Sequence, residues 1–95
     1  MMRDYSPEYV RRLRNEVPWP EMLVKLRWVH KRREGRLVFQ CPRCQEMLTA
    51  VNDQTNLGRC FRCKENWNPI DFTIEVWKLE FRTAVVVLEP LLPNG

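Results

Sequence analysis

Four cysteines carry the only residue pattern in this chain with a definite chemistry. Cys41-Pro42-Arg43-Cys44 and Cys60-Phe61-Arg62-Cys63 form two C-x2-C pairs separated by fifteen residues. Two residues between ligands let one tight turn aim both sulfurs at a single ion, and the turn's amides help neutralise the thiolates. Paired in this way, four thiolates make a tetrahedral zinc site. With all four positions filled by protein there is no open coordination site, so the chemistry is structural and not catalytic. Two disulfides or a redox-active pair are the competing readings. One pair suffices for redox work, whereas two matched pairs satisfy a tetrahedral ion. Iron held by four sulfurs has a similar geometry and stands as the alternative metal. Zinc binding of this kind contributes on the order of 10 kcal/mol to folding.

The elements that must position these sulfurs are short. Ser6-Pro7-Glu8 suits a helix start, with a capping hydroxyl, proline at the first position and an acid at the positive end of the dipole. Tyr9, Val10, Leu13 and Val17 give a rough apolar stripe, and Arg11, Arg12 and Arg14 form its solvated side. Val17-Pro18-Trp19-Pro20 breaks the helix, and a second one starts at Pro20 and turns Met22, Leu23 and Leu26 inward. Residues 28–33 and 36–40 flank Glu34-Gly35 as a hairpin. Met47 to Val51 and Leu57 to Phe61 read as antiparallel strands joined by the polar loop 52–56. Asn68-Pro69-Ile70-Asp71 opens another helix, and a last one runs from about Arg82 to Leu88 before Pro90. No internal repeat longer than the paired cysteine motif stands out. The expected fold is α+β: a small zinc ribbon of four or five short antiparallel strands flanked by N-terminal and C-terminal helices. Its organisation reads as a helical extension over 1–17, a ribbon domain over 18–90 and a tail over 91–95.

Composition removes several function classes. Ninety-five residues, 44% of them hydrophobic, make one small domain and exclude a TIM barrel or a full dinucleotide-binding fold. The longest apolar run, Ala84 to Leu88, has five residues, far short of the ~18 of a membrane helix. The start Met1-Met2-Arg3-Asp4-Tyr5 lacks the apolar core of a secretory signal, so the chain reads as cytoplasmic, where thiols bind metals more than they form disulfides. No carboxylate pair, nucleophile–base arrangement or glycine-rich phosphate loop is present; the expectation is a protein that is not an enzyme and takes no small-molecule substrate. His30, the only histidine, reads as an exposed strand residue.

The formal charge is +4, and four thiolates with one divalent ion would halve it. Its placement is more informative: residues 1–44 hold eleven basic and five acidic side chains, residues 45–95 five and seven. A nucleic-acid surface needs cations for phosphates and exposed rings for bases. The candidates are Lys31, Arg32, Arg33 and Arg36 on the hairpin and Arg43, Arg59, Arg62 and Lys64 around the cysteine turns. Phe61 and Trp67 are the candidate stacking rings; Trp28 and Phe39 are weaker ones, because strand alternation can bury them. Trp19, Trp28, Phe39, Phe72, Trp77 and Phe81 are also the expected core of so small a domain.

The order of elements resembles the zinc-binding domain of bacterial and phage DnaG-type DNA primases. The residues that carry it are Lys31-Arg32-Arg33-Glu34-Gly35-Arg36, then Phe39-Gln40-Cys41-Pro42 and Arg59-Cys60-Phe61-Arg62-Cys63. Asn68-Pro69-Ile70-Asp71-Phe72 and Leu79-Glu80-Phe81-Arg82-Thr83-Ala84-Val85 follow in register, so the likeness spans about residues 18–90. The second ligand, usually histidine in that family, is Cys44 here, which preserves tetrahedral binding. The family's basic stretch after it is replaced by Gln45-Glu46-Met47-Leu48-Thr49-Ala50. The resemblance implies a zinc ribbon with single-stranded DNA as its ligand, without primer synthesis, alongside a separate primase, helicase or polymerase, in replication or on a mobile element. A protein-interaction adaptor is the competing function, supported by Val85-Val86-Val87-Leu88 and Leu91-Leu92. A piece of a longer primase is a third reading, against which stand the start at Met1 and the arginine-bearing first helix.

Overall fold

The computed structural model describes residues 5–93. Helix α1 (Pro7–Glu16) begins where the sequence places it: the Ser6 hydroxyl accepts the Tyr9 amide at 3.1 Å. Its apolar stripe buries Leu13, and Val17 at its end is buried as well. Pro18 holds the chain extended, and α2 (Trp19–Leu26) follows, one residue earlier than Pro20 suggests. Trp19, Met22, Leu23 and Leu26 all face inward. The helix closes on Arg27 in the left-handed region, φ 56°, with the Trp28 amide returning to the Leu23 carbonyl at 3.0 Å.

Five antiparallel strands then form a meander in the order β1-β2-β3-β4-β5: β1 (His30–Arg33), β2 (Arg36–Phe39), β3 (Thr49–Asn52), β4 (Leu57–Cys60) and β5 (Asn66–Trp67). Glu34 and Gly35 both have positive φ, 52° and 79°, so the first hairpin turn has the primed geometry that matches strand twist. Register sets the two faces. Phe39 pairs with Thr49 and Thr49 with Cys60, an inner row of buried side chains. Lys31 pairs with Val38, Val38 with Ala50, Ala50 with Arg59 and Arg59 with Asn66, the outer row. Strand β5, only two residues long, is too brief to leave a periodic signal in the sequence.

Helices α3 (Pro69–Trp77) and α4 (Phe81–Leu88) complete the fold, followed by a 3-10 turn at Glu89–Leu91. The Asn68 side chain caps α3 by accepting the Asp71 amide at 2.8 Å. Phe72 is the centre of the core. Its ring meets Trp19, Trp28, Phe39 and Trp67 edge-on, with centroids 5.1, 6.0, 5.2 and 6.4 Å away. Trp19 also stacks on Phe39 at 4.9 Å. These rings lie so close to β4 that a Cβ on Gly58 would sit 2.8 Å from Phe39 Cζ, which explains a glycine inside a strand.

The α+β fold, the antiparallel sheet and the helices at both ends are as expected. Two core expectations are not met: Trp77 and Phe81 are 42% and 43% exposed. Trp77 lies in the last turn of α3, where its Nε1 donates to the Leu26 carbonyl at 3.3 Å, and Phe81 is the first residue of α4. Both flank the α3–α4 turn, at the periphery of the aromatic cluster. Leu13 and Val17 belong to the same core, and α1 packs on α3. Leu91 and Leu92, read as tail, also pack partly against this core. No helix among the described residues is long and apolar enough to cross a membrane.

One polar residue joins the sheet to the helices. Asn56, at φ 56° in the β3–β4 turn, donates from its side-chain amide to the Arg14 and Val17 carbonyls, both at 3.0 Å. Its own carbonyl accepts Trp19 Nε1 at 3.0 Å. The turn thus satisfies carbonyls that the end of α1 leaves open. Asn56→Ala loses two hydrogen bonds and places a Cβ-bearing non-asparagine residue in the left-handed region. A stability loss of about 2–3 kcal/mol is expected in urea denaturation of the metal-loaded protein, with Asn56→Gly losing about 1 kcal/mol less.

Candidate metal centre

Each cysteine pair sits at a strand end. Cys41 lies two residues past Phe39, the end of β2, and Cys60 is the last residue of β4. After each, the backbone makes the same turn. Gln45 N donates to the Cys41 carbonyl at 2.9 Å and Lys64 N to the Cys60 carbonyl at 2.8 Å. Cys41 N in turn donates to the Glu46 carbonyl and Cys60 N to the Glu65 carbonyl, both at 3.0 Å. Both turns close through a left-handed residue, Gln45 at φ 66° and Lys64 at φ 60°. The amides the turns expose point at sulfur: Arg43 N to Cys41 Sγ and Cys63 N to Cys60 Sγ, each 3.4 Å.

The four sulfurs converge, all within 4.8 Å of one another. Cys41 Sγ lies 3.9 Å from Cys63 Sγ, and Cys44 Sγ lies 3.6 Å from Cys60 Sγ. A tetrahedron with metal–sulfur bonds of about 2.3 Å has edges of about 3.8 Å, so these separations fit a bound ion. They are far outside the ~2.05 Å of a disulfide, and all four cysteines are free. Cys41 and Cys60 are buried and Cys44 and Cys63 half-buried, leaving one side of the cluster near solvent.

Crowded together, the sulfurs divide their charge unequally. Burial pushes the Cys60 thiol up, but the Cys63 and Arg62 amides and the Cys44 and Cys41 thiols outweigh it and bring the value down to about 7. Cys63 is pushed up to about 12, chiefly by the Cys44 sulfur, then by burial and the other two sulfurs. Cys41 is raised, mainly by burial. The Cys60 thiolate forms readily while Cys41 and Cys63 resist, which is the situation a dication resolves by deprotonating coordinating thiols outright. Loading the centre therefore releases protons.

The sequence signal here is longer than the paired cysteines alone, which corrects the expectation that no longer repeat exists. Residues 41–46 and 60–65 both read C-x-R-C-x-E. The structure shows why: Arg62 Nη1 reaches Glu46 Oε1 at 3.3 Å and Arg43 Nη1 reaches Glu65 Oε1 at 4.0 Å, so each turn's arginine pairs with the other turn's glutamate. These pairs are exposed and contribute no more than about 1 kcal/mol each. Glu46 and Glu65 had no place in the sequence-derived site, and the repeated arginine and glutamate are the signal that finds them.

The structure divides the other candidates. Lys31, Arg32, Arg33 and Arg36 are exposed and make no ion pair among the described residues. Arg59 is exposed on the outer sheet face, its Nη1 donating to Asn66 Oδ1 at 3.3 Å. Phe61 is 58% exposed, and Arg33, Arg36, Leu48 and Phe61 line one shallow cleft on that face. Lys64 is exposed beside the second turn, while Arg43 and Arg62 are engaged across the centre. Trp67 is not a surface ring: it is 5% exposed, packed on Phe72, with the Arg43 guanidinium 5.7 Å from its ring centroid. Pairing with Gly58 turns it to the inner face of the sheet. Trp28 and Phe39 face the same core. No protein-family model, curated protein or solved structure matches this chain.

Proposed function

We propose that this chain is a zinc-stabilised ribbon module that binds single-stranded DNA and has no catalytic activity of its own. The observation that carries the proposal is the outer sheet face. Phe61 stands exposed there beside Arg33, Arg36 and Arg59, and the hairpin adds Lys31, which makes no ion pair among the described residues. Exposed rings with unpaired cations are the means by which proteins hold unpaired strands: phosphates on the cations, bases on the ring. The resemblance to primase zinc domains favours DNA and a role beside a separate replication enzyme, in replication or on a mobile element. The four-sulfur centre, with no open ligand position, fits zinc in a structural role.

Metal analysis is expected to find one zinc per chain in a colourless protein; the visible absorbance of an iron–thiolate centre would overturn that assignment. For the strand, about four phosphate contacts give a salt slope near −3, so affinity falls about fiftyfold between about 50 and about 200 mM salt. Replacing Arg33 and Arg36 together with alanine lowers the slope by about 1.4. Fluorescence anisotropy with labelled single strands measures both, and absence of binding at the lower salt would end the proposal.

A protein-interaction adaptor is the second reading, favoured by Val24, Val29 and Val86, exposed at 65%, 56% and 56%. Concentration-dependent association in analytical ultracentrifugation, unchanged by DNA, would favour it over strand binding.

A further inference from the structure

Behind the hairpin, on the inner side of the sheet, lies a second cleft of about 350 Å³, within the range of small-ligand sites. Pro18 and Pro20 form one wall, Arg32 and Arg36 another, and Asp53 and Asn56 of the β3–β4 turn close it. Arg36 and Asp53 also line the neighbouring cleft on the outer face, where Arg59 and Phe61 lie, so the two clefts meet at Arg36.

The walls are held in place. The prolines fix their backbone at the start of α2. The turn bearing Asp53 is braced by Asn52, whose Oδ1 accepts the Gln54 amide at 2.9 Å, and by the Asn56 bonds to α1 and Trp19. Asp53 is exposed and makes no ion pair among the described residues, although two guanidinium groups line the same cleft. A carboxylate and two arginines that share a cleft without pairing suit a ligand with both an anion and a donor edge. A nucleotide has both. Ionised carboxylate only accepts hydrogen bonds. Guanine alone among the bases presents two adjacent donors on its pairing edge, the ring N1–H and the 2-amino group. Adenine and cytosine set one amino donor beside an acceptor, and thymine sets its N–H between two carbonyls.

Resting on the strand-binding reading above, we propose that this cleft is a guanine-selective subsite. A strand lying on Phe61 and Arg59 turns at Arg36 and places one nucleotide behind the hairpin, its phosphate on Arg32 and Arg36 and its guanine edge on Asp53. Selectivity thus comes from one turn residue, while the outer face supplies affinity without preference.

The test compares full-length, metal-loaded protein binding to an oligothymidine with binding to the same oligomer carrying one central guanine, adenine or cytosine. The guanine oligomer binds about tenfold tighter than the other three, the scale of one bidentate base contact. In Asp53→Ala the oligothymidine binds as well as before or better, because a negative charge is gone, and the guanine preference disappears. Asp53 is exposed and, among the described residues, bonds to no other side chain, and circular dichroism with metal content verifies that the variant is folded. Equal affinity for all four oligomers, or a guanine preference that survives Asp53→Ala, overturns the subsite while leaving strand binding intact. Failure of every oligomer to bind overturns the strand-binding reading itself, and the subsite with it.

Discussion

Cys60→Ser abolishes stoichiometric metal binding and leaves the protein without a cooperative thermal transition. Cys60 is wholly buried, ends β4, and pairs with Thr49 in the inner row of the sheet. Its sulfur takes the Cys63 amide and lies against Cys44 Sγ. A serine oxygen removes a thiolate from the set and leaves three mismatched ligands. Structural metal sites of this type contribute about 10–16 kcal/mol near neutral pH. A domain's whole stability is about 5–15 kcal/mol. The loss is therefore comparable with everything that holds the fold together, and chelation of the parent protein should reproduce it. Scanning calorimetry and metal quantification on both samples give the check. A metal-free Cys60→Ser that still melts cooperatively near the parent temperature would refute the structural role of the centre.

Phe72→Ala is expected to lower stability by about 3–5 kcal/mol with metal still bound. Phe72 is fully buried and its ring touches four other aromatic rings, one from α2, one from β2, one from β5 and Trp28 of the segment before β1. Those rings are large and rigid and Trp19 is fixed by its bond to Asn56, so little can move into the void. Denaturant unfolding of the metal-loaded variant measures the loss. A change below about 1 kcal/mol would mean that the cluster can collapse on itself, contrary to the packing described. Phe72→Leu retains much of the volume and should lose less.

The metal ligands and most helix starts were legible because each rests on local chemistry. Cysteine spacing encodes a turn, Ser6-Pro7 and Asn68-Pro69 encode caps, and Glu34-Gly35 sits where a hairpin must reverse. What was not legible depends on contacts between distant segments. Trp67 and Phe61 are both aromatic residues within four positions of Cys63, yet one is core and the other surface; only the pairing of β5 with β4 decides which. Trp77 and Phe81 read as core by type, but they fall at the α3–α4 junction, at the edge of the aromatic cluster, and are 42% and 43% exposed. Asn56 looked like one more polar loop residue because its partners lie 39 and 42 positions away. The crossed arginine–glutamate pairs were written in the repeat, but their meaning depends on the two turns facing each other.

Strand alternation gives this protein two surfaces that can vary independently. Side chains facing inward from β2, β3 and β4 take part in the core or hold the sulfurs, so their freedom to change is small. Arg36 and Arg59, outward on the same strands, and Phe61 just beyond β4, are exposed and contribute to neither. Mutation can therefore rewrite the outer side without destabilising the scaffold that displays it. Descendants of one such scaffold could diverge in what they recognise while retaining the same metal and the same interior, and a laboratory library confined to those outward positions would sample new specificities in a population that still folds.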